Sequence, residues 1–438
     1  MNPFYKTHAT VTTLALSLAG AIALESIATA ENWPAWRGPE ANGISHEKNL
    51  PLKWSTTENV RWHAPLPDRG NSTPVVWGNR VFVTQAIEKQ GKRLLLCFDR
   101  KSGKLLWQSG VDFPERETTH QTNPYCSASP ATDGERVVVS FASAGLYCYD
   151  FNGKELWHRD LGKQTHIWGN ATSPVLYKDL CYLNFGPGER TFLIALDKKT
   201  GKTVWQHDEP TDYQTPGDSK NQKSGYVGSW SDPVIRTVNG REEMFMTYPN
   251  RAFAFDPKTG KELWTCNGLN PLVYTSPLYD EGIVVAMGGF GGMALAVKAG
   301  GNGNVTQTHR LWHHPRTKQR IGSGVIHEGH IYILTDPGVA ECFDLKTGKT
   351  IWEQTLQGPG PTKQNWSSLV LTPEGNLYAV NQGGDAFVFK ASPMFELLAT
   401  NSMKEKTIGS MAVSDGEIFI RTYNNLWCIG GANSGKAN

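Results

Sequence analysis

Short apolar segments recur along the whole chain, and residues typical of turns separate them. Arg80–Val83 and His330–Ile333 are examples, and a Gly precedes each segment by one or two positions. Short segments bounded by such residues are typical of β-strands. Long segments with the period of an amphipathic helix are missing after residue 30. The pattern therefore predicts an all-β fold with few helices.

One sequence unit explains the spacing of these segments. It consists of a strand, an Asp, a turn that contains Gly, and a second strand closed by Trp. The Asp side chain can accept hydrogen bonds from turn amides, and Gly can adopt the positive φ that a tight turn needs. The unit ends at Trp107, Trp157, Trp205, Trp264 and Trp352. A repeat of roughly 50 residues has the length of a four-stranded propeller blade.

Eight such blades can be counted. Trp312 closes a blade whose turn is replaced by a Gly-rich insert, and Glu396–Leu398 closes a blade that has lost its Trp. The last blade begins at Ser410 and lacks an outer strand, which residues 58–66 can supply. This pairing would leave no open sheet edge. We therefore predict one eight-bladed β-propeller of four-stranded antiparallel blades over residues 31–438, closed by pairing of the N-terminal and C-terminal strands.

Residues 1–30 differ from the rest of the chain. Lys6 and His8 precede an apolar stretch at residues 9–24, and Ala28–Ala30 offers the small residues of a cleavage site. We predict a secretory signal peptide and an exported protein, either periplasmic or secreted. No Cys follows the apolar stretch, so we expect no lipid anchor, and we expect no transmembrane segment in the mature chain.

The charge balance excludes one class of partner. Lys and Arg number 43 and Asp and Glu number 41, which leaves a formal net charge of +2. The chain has no run of Lys and Arg, so nucleic acid is not an expected partner. We expect a monomer.

The seven cysteines fall into two groups. Four occupy the strand before the Asp turn in separate blades, which predicts small buried side chains and not a disulfide network. These are Cys97, Cys148, Cys342 and Cys428. The other three, Cys126, Cys181 and Cys266, show no metal-binding spacing, and whether two of them form a disulfide stays open.

The repeat Asp-x-x-Thr-Gly-Lys-x-x-Trp resembles the repeat of pyrroloquinoline-quinone (PQQ) type β-propellers, and the resemblance covers essentially the whole mature chain. Families with this repeat include quinoprotein alcohol dehydrogenases and the BamB-type scaffold of outer-membrane protein assembly. Trp33–Pro39, with Asn42–Gly43 and Leu52–Trp54, also looks like the N-terminus of exported PQQ-like repeat proteins. The resemblance implies the propeller fold, but propellers carry many unrelated functions.

The dehydrogenase pattern is incomplete in this chain. The family implies adjacent cysteines near the quinone and a calcium site formed by a Glu and an Asn beside a catalytic Asp. The chain has no Cys-Cys pair, and such a ligand set cannot be placed in it. We therefore expect no PQQ and no Ca²⁺. His residues such as His313 and His314 lack the spacing of a helical metal site, so we expect no other metal either, although a set of ligands from several blades stays open.

These observations favour a non-catalytic binding or scaffold protein. Its partner is expected to be another exported or envelope protein, or a small polar ligand. The alternative is a PQQ-dependent or other oxidoreductase with its site at the channel mouth. A second alternative is a carbohydrate- or peptide-binding module that uses Trp168, Trp230 and Trp366 as stacking platforms.

The loops that lead into the innermost strands are the expected binding region, because they crowd around the mouth of a propeller channel. Aromatic and amide side chains there suit a polar, stackable ligand or a peptide loop, and two arginines could pair with a carboxylate or phosphate. The other interpretation is that these residues fill the channel and bond to one another. Two longer loops, Val111–Ser127 and Glu209–Ser229, predict a lid or a partner surface. The candidates are Arg69, Asn71, His120, Asn123, Tyr125, His166, Trp168, Asn170, Trp230, Tyr274, Arg320, Asn365 and Trp366.

Overall fold

The computed structural model describes Met1 and residues 31–188, 190–209 and 227–431. The chain divides into Met1–Ala30 and Glu31–Asn438, and the second unit contains all the strands described below. The predicted signal peptide, apart from Met1, and most of the loop Glu209–Ser229 lie outside the described residues. Within the described residues, no helix has the length and apolar character needed to cross a membrane.

The strands are short, as the sequence pattern predicts. In chain order they are β1 (Val60–Pro65), β2 (Val75–Trp77), β3 (Arg80–Ile87), β4 (Lys92–Asp99), β5 (Leu105–Asp112), β6 (Ala131–Thr132), β7 (Arg136–Ser140), β8 (Leu146–Asp150), β9 (Glu155–Arg159), β10 (Val175–Tyr177), β11 (Leu180–Phe185), β12 (Thr191–Asp197), β13 (Thr203–Glu209), β14 (Gly228–Ser229), β15 (Val234–Val238), β16 (Arg241–Tyr248), β17 (Arg251–Phe255) and β18 (Glu262–Asn267). They continue as β19 (Leu272–Val273), β20 (Leu278–Asp280), β21 (Ile283–Met287), β22 (Ala294–Lys298), β23 (Gly303–Asn304), β24 (Arg310–His314), β25 (Val325–His327), β26 (His330–Leu334), β27 (Val339–Asp344), β28 (Thr350–Thr355), β29 (Val370–Leu371), β30 (Asn376–Val380), β31 (Asp385–Lys390), β32 (Leu397–Ser402), β33 (Ala412–Ser414), β34 (Glu417–Arg421) and β35 (Asn425–Gly430). Two short 3₁₀ turns, Glu88–Gln90 and Ala142–Ala144, complete the described secondary structure.

The strands form eight antiparallel blades, which confirms the predicted propeller. Blades 1 to 3 are β2–β5, β6–β9 and β10–β13, blade 4 is β15–β18, and blade 5 is β20, β21, β22 and β24. Blades 6 and 7 are β25–β28 and β29–β32, and blade 8 is β33, β34, β35 and β1. The Gly-rich insert of blade 5 supplies β23, which adds a parallel fifth strand to blade 4. Strands β14 and β19 form a separate two-stranded parallel ladder.

Blade 8 is built from both ends of the propeller, as expected. Strand β1 pairs antiparallel with β35, with Trp62 opposite Cys428 and Pro65 opposite Asn425. The outer strand that the last repeat lacks is therefore supplied by a segment more than 350 residues earlier in the sequence. This pairing covers the outer edge of β35 and joins the two ends of the propeller in one blade.

The Trp that ends each repeat links its blade to the next one. Trp157 of blade 2 donates its indole N–H to the carbonyl of Lys198 in the turn of blade 3, at 3.0 Å. A Cβ at Gly201 in that turn would lie 2.7 Å from the Trp157 ring, and its φ is +70°. The repeat therefore requires Gly both for the turn and for close approach to the Trp. The same indole bond joins Trp62, Trp107, Trp205, Trp312 and Trp352 to the following blades.

Blade 4 departs from this arrangement. The turn that Trp264 would contact in blade 5 is replaced by the Gly-rich insert, and the Trp264 indole donates instead to the Glu243 carboxylate of its own blade at 2.8 Å. The backbone N–H of Gly300, at the start of the insert, donates to the same carboxylate at 3.3 Å. The bond to the neighbouring blade is thus replaced by one that anchors the insert.

The core lies between neighbouring blades. Leu183 and Phe192 of blade 3, for example, pack with Val138 and Cys148 of blade 2. All seven cysteines are buried and free. This agrees with the prediction for the four repeat positions. Cys126, Cys181 and Cys266, for which a disulfide was left open, are also free thiols. Burial raises the pKa of the Cys97 thiol to about 12.

Candidate functional site

A closed ring of eight hydrogen bonds surrounds the channel. It is formed by the residues that open the blades. In each bond, the backbone N–H of one blade donates to a side-chain oxygen of the next blade, at 2.9–3.2 Å. The ring runs through Thr73, Ser129, Ser173, Asp232, Ser276, Ser323, Ser368 and Ser410 and returns to Thr73. The Ser that opens six of the blades is therefore explained by this hydrogen bond between neighbouring blades.

Asp232 is the one carboxylic acid in this ring. Its Oδ1 accepts the N–H of Ser173 at 2.9 Å, and its own N–H donates to Ser276 Oγ at 2.9 Å. The side chain is 6% exposed. Burial raises the pKa of Asp232 well above its ordinary value, against the opposing effect of the hydrogen bonds from Ser173. The neutral acid is thus favoured in the folded protein.

The N-terminal segment closes one side of the ring. Arg37 is buried and donates to the carbonyls of Leu369 at 3.1 Å and Asn42 at 2.6 Å, and it also bonds to Ser323 and Gly324. Burial without a carboxylate partner lowers the pKa of Arg37 to about 9. The segment packs against the inner strands that follow the ring, around a small cavity of about 80 Å³. Residues 34–39 and 41 of this segment line the small cavity, and we call residues 34–41 the plug.

A larger cavity of about 440 Å³ also borders the ring, and we call it the axial cavity. Trp36, Ser173 and Asp232 line both cavities. Its wall consists of ring residues, residues of the loops that precede the ring, and Trp36 of the plug. Seven of the predicted candidates line it, namely Asn71, His120, Asn123, Trp168, Trp230, Tyr274 and Trp366. The structure thus brings half of the predicted set together around one space on the axis.

Aromatic contacts fix the orientation of the wall. The rings of His120 and Trp168 lie 4.6 Å apart, and Trp230 meets Tyr274 edge to face at 5.0 Å. The Trp230 indole donates to the Gly169 carbonyl at 2.9 Å. Such interlocked rings leave the side chains little freedom, so the wall is preorganised.

Two predicted arginines are already paired and do not line the cavity. Arg320 is buried, and its guanidinium donates to the Glu341 carboxylate at 2.8 Å. Arg69 donates to the Gln121 carbonyl at 2.7 Å and lies 3.3 Å from a Glu88 carboxylate oxygen. The suggestion that Arg320 could hold a carboxylate or phosphate fails for a physical reason, because its partner on β27 already occupies it.

The other four candidates outside the wall support the loops. Tyr125 donates its hydroxyl to the Glu117 carbonyl at 2.7 Å, and Asn170 and Asn365 donate side-chain N–H groups to backbone carbonyls. His166 packs edge to face on Trp230 at 5.0 Å. Burial lowers the pKa of His166 to about 4, so its imidazole is neutral at physiological pH.

PQQ does not fit the residues that are present. PQQ carries several carboxylates, and among the described residues that line the axial cavity there is no Arg or Lys. Its carboxylates would also face the carboxyl group of Asp232. No group of three or more metal-ligating side chains was found within the described residues, and all described cysteines are free and buried.

Fourteen residues of the wall were not among the sequence candidates, and three of these have aromatic or acidic side chains. Trp36 comes from the plug and Phe290 from the Gly-rich run of blade 5, while Asp232 belongs to the ring. A signal for Asp232 was present, because it stands where most other blades have Ser. Trp36 and Phe290 had no comparable signal, since their positions depend on contacts with distant segments.

Known proteins share this architecture. A family model described as "Outer membrane protein assembly factor BamB" matches residues 48–165, 91–265 and 190–435. BamB of Yersinia pestis is 24% identical over 332 residues, which cover 73% of this chain and 76% of that protein. Tetrathionate hydrolase of Acidithiobacillus ferrooxidans is 24% identical over 285 residues, 60% of this chain, and the match spans only 50% of that enzyme. The solved quinohemoprotein alcohol dehydrogenase of Comamonas testosteroni has a TM-score of 0.67 at 12% identity, over 92% of this chain and 81% of that one, which shows a common fold.

Proposed function

The chain belongs to the PQQ-like propeller family described as outer membrane protein assembly factor BamB, and from this premise we propose that it is a non-catalytic scaffold protein. In this proposal the protein is exported, and the loops around the axial cavity bind another envelope protein. The name of the BamB relatives assigns them to outer-membrane protein assembly, which supports an envelope protein as the partner.

Two exposed apolar side chains carry the proposal, Phe290 of the cavity wall and Ile167 beside the wall residue Trp168 in the sequence, and we call the surface they define the mouth. Phe290 is 63% exposed at the edge of the axial cavity, and Ile167, next to Trp168 of the wall, is 42% exposed. Large apolar side chains at the rim of a cavity are typical of a protein-binding surface. The plug covers the small cavity, so we propose that the partner binds at the mouth.

Capture by variants with matched exposure tests the proposal. The mouth variant carries Ile167→Ser and Phe290→Ser, and the control variant carries Met394→Ser and Leu397→Ser. Met394 lies just before the outer strand of blade 7 and is 80% exposed, and Leu397 begins that strand and is 45% exposed. The purified wild-type protein and the control should capture the same envelope protein, and the mouth variant should lose it. Equal capture by all three proteins would refute a mouth-bound partner.

The catalytic alternatives receive less support from the cavity. Tetrathionate is an anion, and the described wall of the cavity offers no Arg or Lys to bind it. A quinone enzyme is tested by adding PQQ with Ca²⁺ to the purified protein. Stoichiometric binding together with dye-linked alcohol oxidation would overturn the scaffold proposal, and we expect neither.

A further inference from the structure

We propose that the axial cavity is a binding site for a compact organic cation, namely an alkylammonium group, which the aromatic wall and the Asp232 carboxylate hold together. The site goes beyond the proposed scaffold function, and its existence does not depend on that function. It rests on three observations, which concern the wall, the charge and the ring.

The wall has the side chains that bind ammonium groups. Trp36, Trp168, Trp230, Tyr274 and Trp366 all line the cavity. The faces of such rings attract cations, and aromatic cages of this kind recognise quaternary ammonium ligands in other proteins. The Trp366 indole N–H donates to the Asp336 carboxyl group at 2.8 Å, so a second acidic side chain contacts one wall residue.

The charge of the wall favours a cation over an anion or a neutral ligand. Asp232 contributes the one carboxyl group among the described wall residues, and none of those residues is Arg or Lys. Three cations adjoin wall residues in the sequence, and each is engaged. Arg37 donates to backbone carbonyls, among them those of Leu369 at 3.1 Å and Ser323 at 3.4 Å. Lys318 lies 3.0 Å from Glu341 and 2.7 Å from Glu353, and Arg320 lies 2.8 Å from Glu341. A buried carboxylate is costly unless a cation pairs with it, and a ligand cation would supply the partner that the described wall residues do not.

The ring shows that the carboxylate is not needed for the structure. A hydroxyl group accepts the same type of hydrogen bond at the seven other ring positions, from 2.9 to 3.2 Å. An acid at this position costs desolvation energy that Ser would avoid. Ligand binding accounts for its presence where blade closure does not.

Cation binding should release a proton. The Asp232 carboxyl group accepts hydrogen bonds from the amide and hydroxyl of Ser173, while Ser276 accepts from the Asp232 backbone N–H. The titratable residues of the axial wall are His120 and Tyr274, and Arg37 lines the small cavity that Asp232 also borders. Burial favours the protonated acid in the free protein. The bound cation favours the carboxylate, so affinity should increase with pH, by up to about tenfold per pH unit while the free acid is protonated.

The test is isothermal titration calorimetry with charged and neutral probes of the same shape. Choline is compared with 3,3-dimethylbutan-1-ol, which replaces the ammonium nitrogen by carbon. At the highest pH tested, we expect choline to bind at least about tenfold more tightly than the neutral probe. Proton release should make the measured binding enthalpy depend on the ionisation enthalpy of the buffer. Equal affinity for choline and its neutral analogue would overturn the proposal.

A matched variant assigns the effect to Asp232. Asp232→Ser restores the side chain used by most other blades, so the ring should remain closed, and Asp232→Asn is a second variant of nearly the same shape. Both should keep only the weaker preference for choline that the aromatic wall provides, and both should lose the pH dependence. A preference for choline as large as that of the wild type, in a variant with wild-type circular dichroism, would refute the role of Asp232.

The ammonium group can belong to a free small molecule or to a lysine of a protein partner. Nα-acetyl-lysine amide and its Nε-acetylated form separate the two sources. Binding of choline alone identifies a free quaternary ammonium ligand, and binding of the lysine amide but not of its acetylated form identifies a partner's lysine. Binding of neither probe overturns the site. Partner capture depends on Ile167 and Phe290, so its failure would leave this result intact.

Discussion

Replacing Asp232 by Ser should stabilise the protein, and the gain should increase with pH. In the wild type, the folded state raises the pKa of this acid and therefore binds its proton more tightly than the unfolded chain does. This contribution to stability is complete below the ordinary pKa of Asp and is lost as the pH rises through the folded-state pKa. The Ser variant has no such titration and can still accept the N–H of Ser173.

The size of the effect follows from this linkage. Between about pH 4 and the folded-state pKa, the wild type should lose up to about 1.4 kcal/mol of unfolding free energy per pH unit relative to the variant. The two proteins should therefore differ by about 1 kcal/mol or less near pH 4, and by up to about 3 kcal/mol two pH units higher. The difference in unfolding free energy stops increasing once the pH exceeds the folded-state pKa of Asp232.

Urea unfolding across this pH range measures the difference directly. Asp232→Asn serves as the control, because it removes the titration and keeps the shape, and it should show the same pH dependence as the Ser variant. A difference from wild type that stays constant over the pH range would refute the raised pKa. A Ser variant less stable than wild type near neutral pH would refute the claim that the ring needs only a hydroxyl group.

Two further predictions concern the repeat. Gly201→Ala should lower the free energy of unfolding by more than about 2 kcal/mol, because φ is +70° and the new Cβ would lie 2.7 Å from the Trp157 ring. Gly240→Ala is the control, since φ is +81° there but no atom lies within 4 Å, and it should cost only about 1 kcal/mol in thermal or urea unfolding. Equal losses would contradict the packing of Gly201 on Trp157. The seven thiols, all buried and free, should fail to react with a thiol reagent in the native protein and should react in full in denaturant. Fast labelling of any native thiol would contradict their burial.

The sequence predicts the architecture well because the repeat is local. The Asp, Gly and Trp of each unit lie close together in the chain, and their spacing identifies the blades. The closure of blade 8 was also predictable. The last repeat lacks an outer strand, and the strand-like segment around Trp62 lies before the first complete repeat.

The site was only partly predictable because it depends on contacts between distant segments. Arg37 bonds to the Leu369 carbonyl, 332 positions away, and no local pattern reveals that Trp36 therefore forms a wall of the axial cavity. Arg320 has the appearance of a ligand-binding residue in sequence, and only the structure shows that Glu341 already pairs with it. Loop position predicted which residues surround the axis, but not which of them remain available.

The central claim is that the mouth of the propeller binds a protein partner, and site-specific photo-crosslinking in cells tests it most directly. A photoreactive amino acid is placed at Phe290, 63% exposed at the mouth, or at Met394, 80% exposed in the turn before the outer strand of blade 7. We predict a discrete adduct with an envelope protein from position 290 and none from position 394. An adduct of equal yield from both positions, or from position 394 alone, would contradict the account.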